Sequence, residues 1–345
     1  MKLVSGICRL GIVALIALLA ACSTTTKPGA VGVSRQQFLL VPAETVERMA
    51  TLSYNQQAQE AKKAGKLVTS GEEYERLKRV ADRVRAQVGV FREDTDHWKW
   101  QLVLIDAPII NATCAPGGKI TFYTGIIRKL ALTDDEIAAV MGHEIAHALR
   151  EHGRERVSLA VAQNAITGAA LAASRNSSNV QLANQFAHYL FVLPNSRQNE
   201  TEADGIGLEL AARAGYDPRA AITLWQKMSR ISGGGSGEFF STHPSGETRI
   251  NDLTALMPKV MPLYEQAARQ TASVTTVSID ETRPDNDALP AMAELARRDA
   301  AKRGCRSQKT PAHVGRVIGT EQFEVLCTSG RRMHYRCSEK ACSPI

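Results

Sequence analysis

Long apolar runs are nearly missing from this 345-residue chain. Residues 10–21 make one, and residues 157–173 make another that Gln163, Asn164 and Gly168 interrupt. Both fall short of the ~20 residues a spanning helix needs, which excludes a multi-pass membrane protein. Aromatic residues are only 5% of the chain and are not interleaved with its Lys and Arg, which excludes a stacking platform for nucleic acid. Cys305, Cys327, Cys337 and Cys342 crowd the last stretch without a Cys-x-x-Cys pair. A zinc knuckle there is therefore the weaker reading, and two disulfides in any of three connectivities the stronger one, given an oxidising compartment. Cys114 stands apart and reads as a free, buried thiol. Nor is there acidic excess: the formal charge is +7, and residues 291–345 hold 11 Lys or Arg against 5 Asp or Glu. Such a tail reads as a solvated surface, or as one that meets anionic lipid headgroups.

What is present begins with the leader. Lys2 and Arg9 precede the apolar run from Leu10 to Ala21, the pattern of a secretory signal peptide over residues 1–21. Leu19-Ala20-Ala21-Cys22 resembles the lipobox of bacterial lipoproteins, which implies cleavage before Cys22 and lipidation of its thiol. Ser23 in place of Asp implies sorting to the outer membrane, facing the periplasm. An uncleaved anchor is the other reading, and it leaves the same domain outside the cytoplasm. Residues 22–36, rich in Ser, Thr and Gly, are expected to be a flexible tether.

A main domain is expected over 37–270. Residues 43–63 read as a helix, and Ser70 with Glu73 form a capping-box pattern before a helix carrying Leu77, Val80, Ala81, Val84 and Val88 on one face. Trp98–Ile105 and Lys119–Thr124 read as strands, with Pro116-Gly117-Gly118 turning the chain before the second. Residues 157–173 suggest a buried or site-covering helix, followed by a second amphipathic stretch to Leu193. Pro194 and Asn195 mark the next helix start, which Gly215 ends. Residues 231–237 read as a mobile glycine loop, and 271–290 as a linker. Val314–Ile318, Gln322–Cys327 and Met333–Cys337 alternate like short strands, so 291–345 is expected to be a small Cys-rich β module.

The chemistry centres on His143-Glu144-Ile145-Ala146-His147. On a helix, i and i+4 share a face, so both imidazoles grip one zinc ion while Glu144 lies beside the metal-bound water. Thr133 and Glu136 form a capping box for that helix, and Ile137, Val140, Met141, Ala148 and Leu149 recur at helical spacing. A catalytic zinc takes three protein ligands and leaves one position open. Glu200 is the best third ligand. Asp204, four residues on and on the same face, is expected to hydrogen-bond a histidine ligand. Glu202 points elsewhere and is the runner-up ligand.

His143-Glu144-x-x-His147 followed by Ser196-Arg197-x-x-Glu200-x-x-x-Asp204 resembles the gluzincin metallopeptidases that include the CAAX prenyl proteases and the HtpX-like proteases. The layout is most similar to their periplasmic LoiP- and BepA-like lipoprotein members. The resemblance covers roughly residues 40–260 and leaves out the tail. It implies an α+β fold: a mainly helical zincin-type metallopeptidase domain with a small edge β-sheet, to which the C-terminal β module is added. It also implies one Zn2+ per chain, with Glu144 as general base. Asn111-Ala112 and Pro116-Gly117-Gly118 match the family's substrate-binding edge strand. His243-Pro244 with Arg249 matches its late His-Pro element, making His243 the expected oxyanion stabiliser and Arg249 a support for the fold. The glycine loop before His243 further suggests a latch, in which His243 occupies the open zinc position until substrate displaces it. A thiol at Cys114, beside the groove, departs from the pattern.

The implied function is a lipid-anchored zinc endopeptidase acting on misfolded or misassembled envelope proteins, with the outer-membrane assembly machinery as a further partner and no nucleic acid. A periplasmic chaperone or assembly factor with little proteolysis is the runner-up. A cell-wall zinc amidase fits the extended groove less well.

Overall fold

A computed structural model of the chain describes residues 22–163, 188–232, 238–243, 248–276, 288–307, 309–317, 320–338 and 341–344. The expected signal peptide lies outside the described residues. So do 164–187, which hold most of the expected site-covering helix and its successor, the glycine-rich 233–237, Pro244, and the middle of the expected linker, 277–287. Two compact units are present, Met1–Thr271 and Ala272–Ile345.

The first unit opens with β1 (Cys22–Ser23) paired antiparallel to β2 (Gln37–Phe38). Residues 22–36 are therefore not the expected flexible tether but a strap laid on the domain. Arg150 donates to the Thr24 and Thr26 hydroxyls at 3.0 and 3.3 Å. The Ala30 and Val31 amides donate to one buried Glu209 oxygen at 2.7 and 3.0 Å. Ser- and Gly-rich backbone stays solvated only while water is its best partner, and here buried side chains take that place.

Helix α1 (Ala43–Lys63), β3 (Leu67–Val68) and α2 (Glu72–Arg85) follow. The Ser70–Glu73 capping box does not form. Gly71, at φ 97°, takes the N-cap, and Glu73 pairs with Arg128 at 2.7 Å instead. β4 (Gln101–Ile105), β5 (Ala112–Ala115) and β6 (Lys119–Tyr123) join β3 in the order β3-β4-β6-β5, with β4 and β6 parallel and the other pairs antiparallel. Gly117 and Gly118, both left-handed at φ 78° and 77°, close the β5–β6 hairpin. A Cβ on Gly118 would strike Trp100 at 2.6 Å. β5 is thus an edge strand.

Helix α3 (Thr124–Lys129) leads to α4 (Asp134–Leu149), which carries the His-Glu-x-x-His motif. Its predicted capping box is present: Thr133 N–H donates to Glu136 at 2.9 Å, and Glu136 N–H to the Thr133 hydroxyl at 3.3 Å. After Glu151, left-handed at φ 50°, α5 (His152–Gln163) departs in a new direction. Helix α6 (Arg197–Arg213) is capped by Ser196, whose hydroxyl accepts from Asn199 N–H. α7 (Ala220–Ser232), α8 (Glu238–Thr242) and α9 (Thr248–Thr276) follow.

Helices α4 and α6 cross at two glycines. A Cβ on Gly207 would lie 2.6 Å from His143 N, and one on Gly142 would lie 2.5 Å from Gly207 O. Any larger residue would separate the backbones that carry the metal donors. Around the crossing, Ile137, Met141, Ile145, Leu210, Leu77, Leu104 and Phe122 form a continuous buried core. No helix among the described residues is long and apolar enough to cross a membrane.

The second unit contains α10 (Ala288–Lys302) and a meander of β7 (Ala312–Val317), β8 (Thr320–Leu326), β9 (Arg332–Cys337) and β10 (Cys342–Pro344), antiparallel in the order β10-β9-β8-β7. Met292, Ala296 and Ala300 of the helix pack with Phe323, Val325 and Tyr335 of the sheet. The disulfides are Cys305–Cys327 and Cys337–Cys342, one of the three possible pairings. Three strands lie close to their expected places. Sequence reading anticipated neither α10, which begins inside the expected linker, nor β10.

Candidate active site

Helix α4 presents His143 and His147 one turn apart, and α6 presents Glu200 across the glycine crossing. With His243, from the end of α8, these residues offer ligand atoms that all lie within 4.8 Å of one another, and all four are buried. The His143 and His147 Nε2 atoms are 3.0 Å apart, and Glu200 Oε2 and Oε1 lie 3.4 Å from them respectively. Three imidazoles and a carboxylate converging on one point suit a borderline transition metal. The donor set fits a metal ion.

Each donor is aimed by a neighbour. Asp204 Oδ1 sits 3.0 Å from His143 Nδ1, as the i, i+4 spacing from Glu200 predicts. Arg249 grips Asp204 through Nε and Nη2 at 2.5 and 2.7 Å, reaches Glu200 Oε2 with Nη1 at 2.8 Å, and lies 3.6 Å over the Trp225 ring. Its expected role as a support is visible in those contacts.

Burial opposes charge on all these groups, and the network decides the outcome. It is overcome at Glu200, where His243, His143 and His147 hold the carboxylate far below its usual range. For His143, burial is outweighed by Asp204 and Glu200, which push it up to about 9. Burial prevails at His147, which stays well below its ordinary value.

Glu144 faces the same pocket. Burial raises its carboxyl, against the nearby His243 and His143 and a hydrogen bond from the backbone of Cys114 on β5. The general-base candidate thus shares its pocket with Thr113, Cys114 and Ala115 of the edge strand. Cys114 is free and buried, as expected, and burial with the Glu144 charge raises its thiol, so it stays protonated at neutral pH.

His243 sits among the donors. Its Nδ1 lies 3.0 Å from Glu200 Oε1 and 3.2 Å from His143 Nε2, and its Nε2 lies 3.5 Å from Glu144 Oε1. The ring stacks on Phe239, with centroids 4.5 Å apart.

A cavity of ≈ 550 Å³ flanks β5, lined by Tyr54, Gln57, Asn111, Thr113, Thr121 and Thr242 among others. It shares Thr113, Ala115 and Thr242 with a smaller space that reaches Glu144, His147 and Pro116. Among the expected groove residues, Asn111 and Pro116 line these spaces, and Ala112 lies in β5 itself. Gly117 and Gly118 shape the turn against Glu47 and Trp100.

Sequence reading missed three residues here. His152 stacks edge-on to His147, and burial holds it down at about 4. Arg35 reaches in from the strap. Arg156 lines the metal pocket, donates to the Tyr189 and Leu190 carbonyls at 2.9 and 2.8 Å, and keeps a buried Nη1 without a hydrogen-bond partner among the described residues. Glu202, the runner-up ligand, faces away from the donor cluster.

The profile of peptidase family M48 matches residues 72–257. Mitochondrial metalloendopeptidase OMA1 of Schizosaccharomyces pombe is 38% identical over 167 residues, 47% of this chain and 48% of that protein. Its namesake from Arabidopsis thaliana is 35% identical over 173 residues, 48% of this chain and 34% of that protein. Metalloprotease LoiP of Escherichia coli is 29% identical over 147 residues, 42% of this chain and 57% of that protein. The chain thus spans about a third to a half of these OMA1 relatives. It is more similar to them than to LoiP, so the expected placement nearest the periplasmic members holds only at the level of the family.

Proposed function

The chain belongs to peptidase family M48, and from its buried donor cluster beside Glu144 we propose that it is a zinc endopeptidase for unfolded polypeptide in the cell envelope. His143, His147 and Glu200 would hold the ion. Bound there, zinc would polarise the scissile carbonyl and acidify an attacking water. Glu144, made more basic by burial, takes the water's proton and passes it to the leaving nitrogen. Asp204 and Arg249 keep His143 and Glu200 oriented.

His243 sits among the donors and acts as a displaceable latch. Once freed, its ring donates to the negative charge growing on the carbonyl oxygen, with the spare N–H of Arg156 as the neighbouring donor. Substrate adds as a strand to the β5 edge from Asn111 to Gly118, a mode that reads extended shape more than side chains. The polar cavity beyond β5 then receives residues next to the scissile bond.

Two disulfides support an oxidising compartment, and Leu19-Ala20-Ala21-Cys22 supports a lipid anchor at Cys22 in the outer membrane, facing the periplasm. Misassembled envelope proteins are the substrates such a location offers, and the outer-membrane assembly machinery is the partner. One observation favours the second reading, a holdase that cleaves little: His243 already stands where substrate oxygen must enter. Casein digestion by the metal-loaded protein separates the two. Glu144→Gln should keep its metal and lose at least ~100-fold in rate. Undiminished cleavage would remove Glu144 as the base, and metal-loaded wild type that cleaves nothing would favour the holdase.

A further inference from the structure

Glu202 lies two residues from Glu200 yet joins a different network. Its Oε2 is 3.1 Å from His152 Nε2, and His152 Nδ1 is 2.8 Å from His147 Nδ1. On its other side, Glu202 takes Arg150 Nε at 2.9 Å and Arg35 Nε at 2.5 Å. Arg35 also grips Glu155 at 2.6 and 2.9 Å and Asn199 at 2.9 Å. The strap is tied in by its backbone as well: Arg150 Nη2 donates to the Arg35 carbonyl at 2.9 Å, and Gln37 donates to the Arg150 carbonyl at 2.5 Å. Arg150 and His152 are completely buried.

We propose that His152 is a positioning residue for the metal ligand His147, and that the strap from Cys22 to Phe38, through Arg35 and Glu202, is a structural part of the metal centre. The inference rests on the metallopeptidase reading. Two ring nitrogens at 2.8 Å require one donor and one acceptor. Glu202, held by two guanidinium groups, only accepts, so His152 carries its hydrogen on Nε2 and offers the Nδ1 lone pair. His147 must then donate from Nδ1. Its Nε2, which faces His143 and Glu200, is left with the lone pair a metal needs.

Without His152, nothing in this network selects that tautomer of His147 or fixes its ring. Without Arg35, Glu202 loses its direct side-chain partner in the strap and keeps only Arg150 and His152. The strap is thereby wired, through Arg35, Glu202 and His152, to a ligand of the reaction centre.

The test is zinc affinity, measured by competition with a chromophoric chelator on the purified full chain. His152→Phe keeps an aromatic ring and removes both nitrogens, and should weaken zinc binding by roughly 10- to 100-fold. His152→Asn, whose Oδ1 replaces Nδ1 as acceptor, should recover most of that loss. Arg35→Met should weaken binding by about tenfold on the same reasoning. Thermal melting of the metal-free variants checks that each folds. Zinc affinity equal to wild type in His152→Phe would overturn the positioning role. If that variant does not fold, wild-type affinity in Arg35→Met overturns the strap's part, and a full loss in His152→Asn overturns the acceptor argument. A wild type that binds no zinc sinks the metallopeptidase reading and this inference together, whereas equal binding by all variants sinks this inference alone.

Discussion

At the scale of single residues, the donors differ in what fixes them. His143 is aimed by Asp204 and Glu200 is held by Arg249, while His243 rests on Phe239 and the end of a five-residue helix. In the proposed latch, His243 is the donor that moves. His243→Ala should therefore retain metal and bind a casein peptide with a lower KM, because the latch is gone, while its kcat falls for want of the oxyanion donor. An unchanged KM with unchanged coordination would remove the latch. His143, Glu144 and His147 were legible from five residues, and Glu200 with Asp204 from their helical spacing once that motif called for a third ligand. His152 was not. On a continuous helix a residue five positions on points about 140° away, and the left-handed turn at Glu151 that brings it back has no signature in a Glu codon's worth of sequence.

At the scale of elements, the site depends on how closely α4 and α6 approach. Gly207→Ala would place a methyl carbon 2.6 Å from the His143 amide. It should cost about 1–3 kcal/mol in stability, as overpacking of a tight contact does, and weaken zinc binding in the same variant. A melting temperature and metal content equal to wild type would show that the crossing tolerates separation. The capping box at Thr133 was readable because its partner stands three residues on and nothing competes. The similar pattern at Ser70 misled, because Gly71 adopts a conformation that Ser avoids and Glu73 found Arg128. Composition likewise misled over residues 22–36. Small polar residues describe a solvated tether and a buried strap equally well, and only the positions of Arg150 and Glu209 decide between them.

At the scale of the whole molecule, a peptidase unit and a disulfide-linked α/β unit are each internally packed, and the alternation of Val314–Ile318, Gln322–Cys327 and Met333–Cys337 foretold most of the second sheet. Disulfide pairing was beyond reach from spacing, since it depends on strand register, which places Cys337 opposite Cys342. All of the proposed chemistry depends on His143, His147 and Glu200 together binding one zinc ion, and zinc titration of the metal-free protein across pH reads that binding itself. Because His143 is pushed up to about 9, its proton must leave as metal binds. Affinity should thus tighten by up to about tenfold per pH unit between neutrality and that value, at one ion per chain. Glu200→Ala should abolish tight binding throughout. Substoichiometric metal in the wild type, or full affinity in Glu200→Ala, would show that these three residues are not the zinc site.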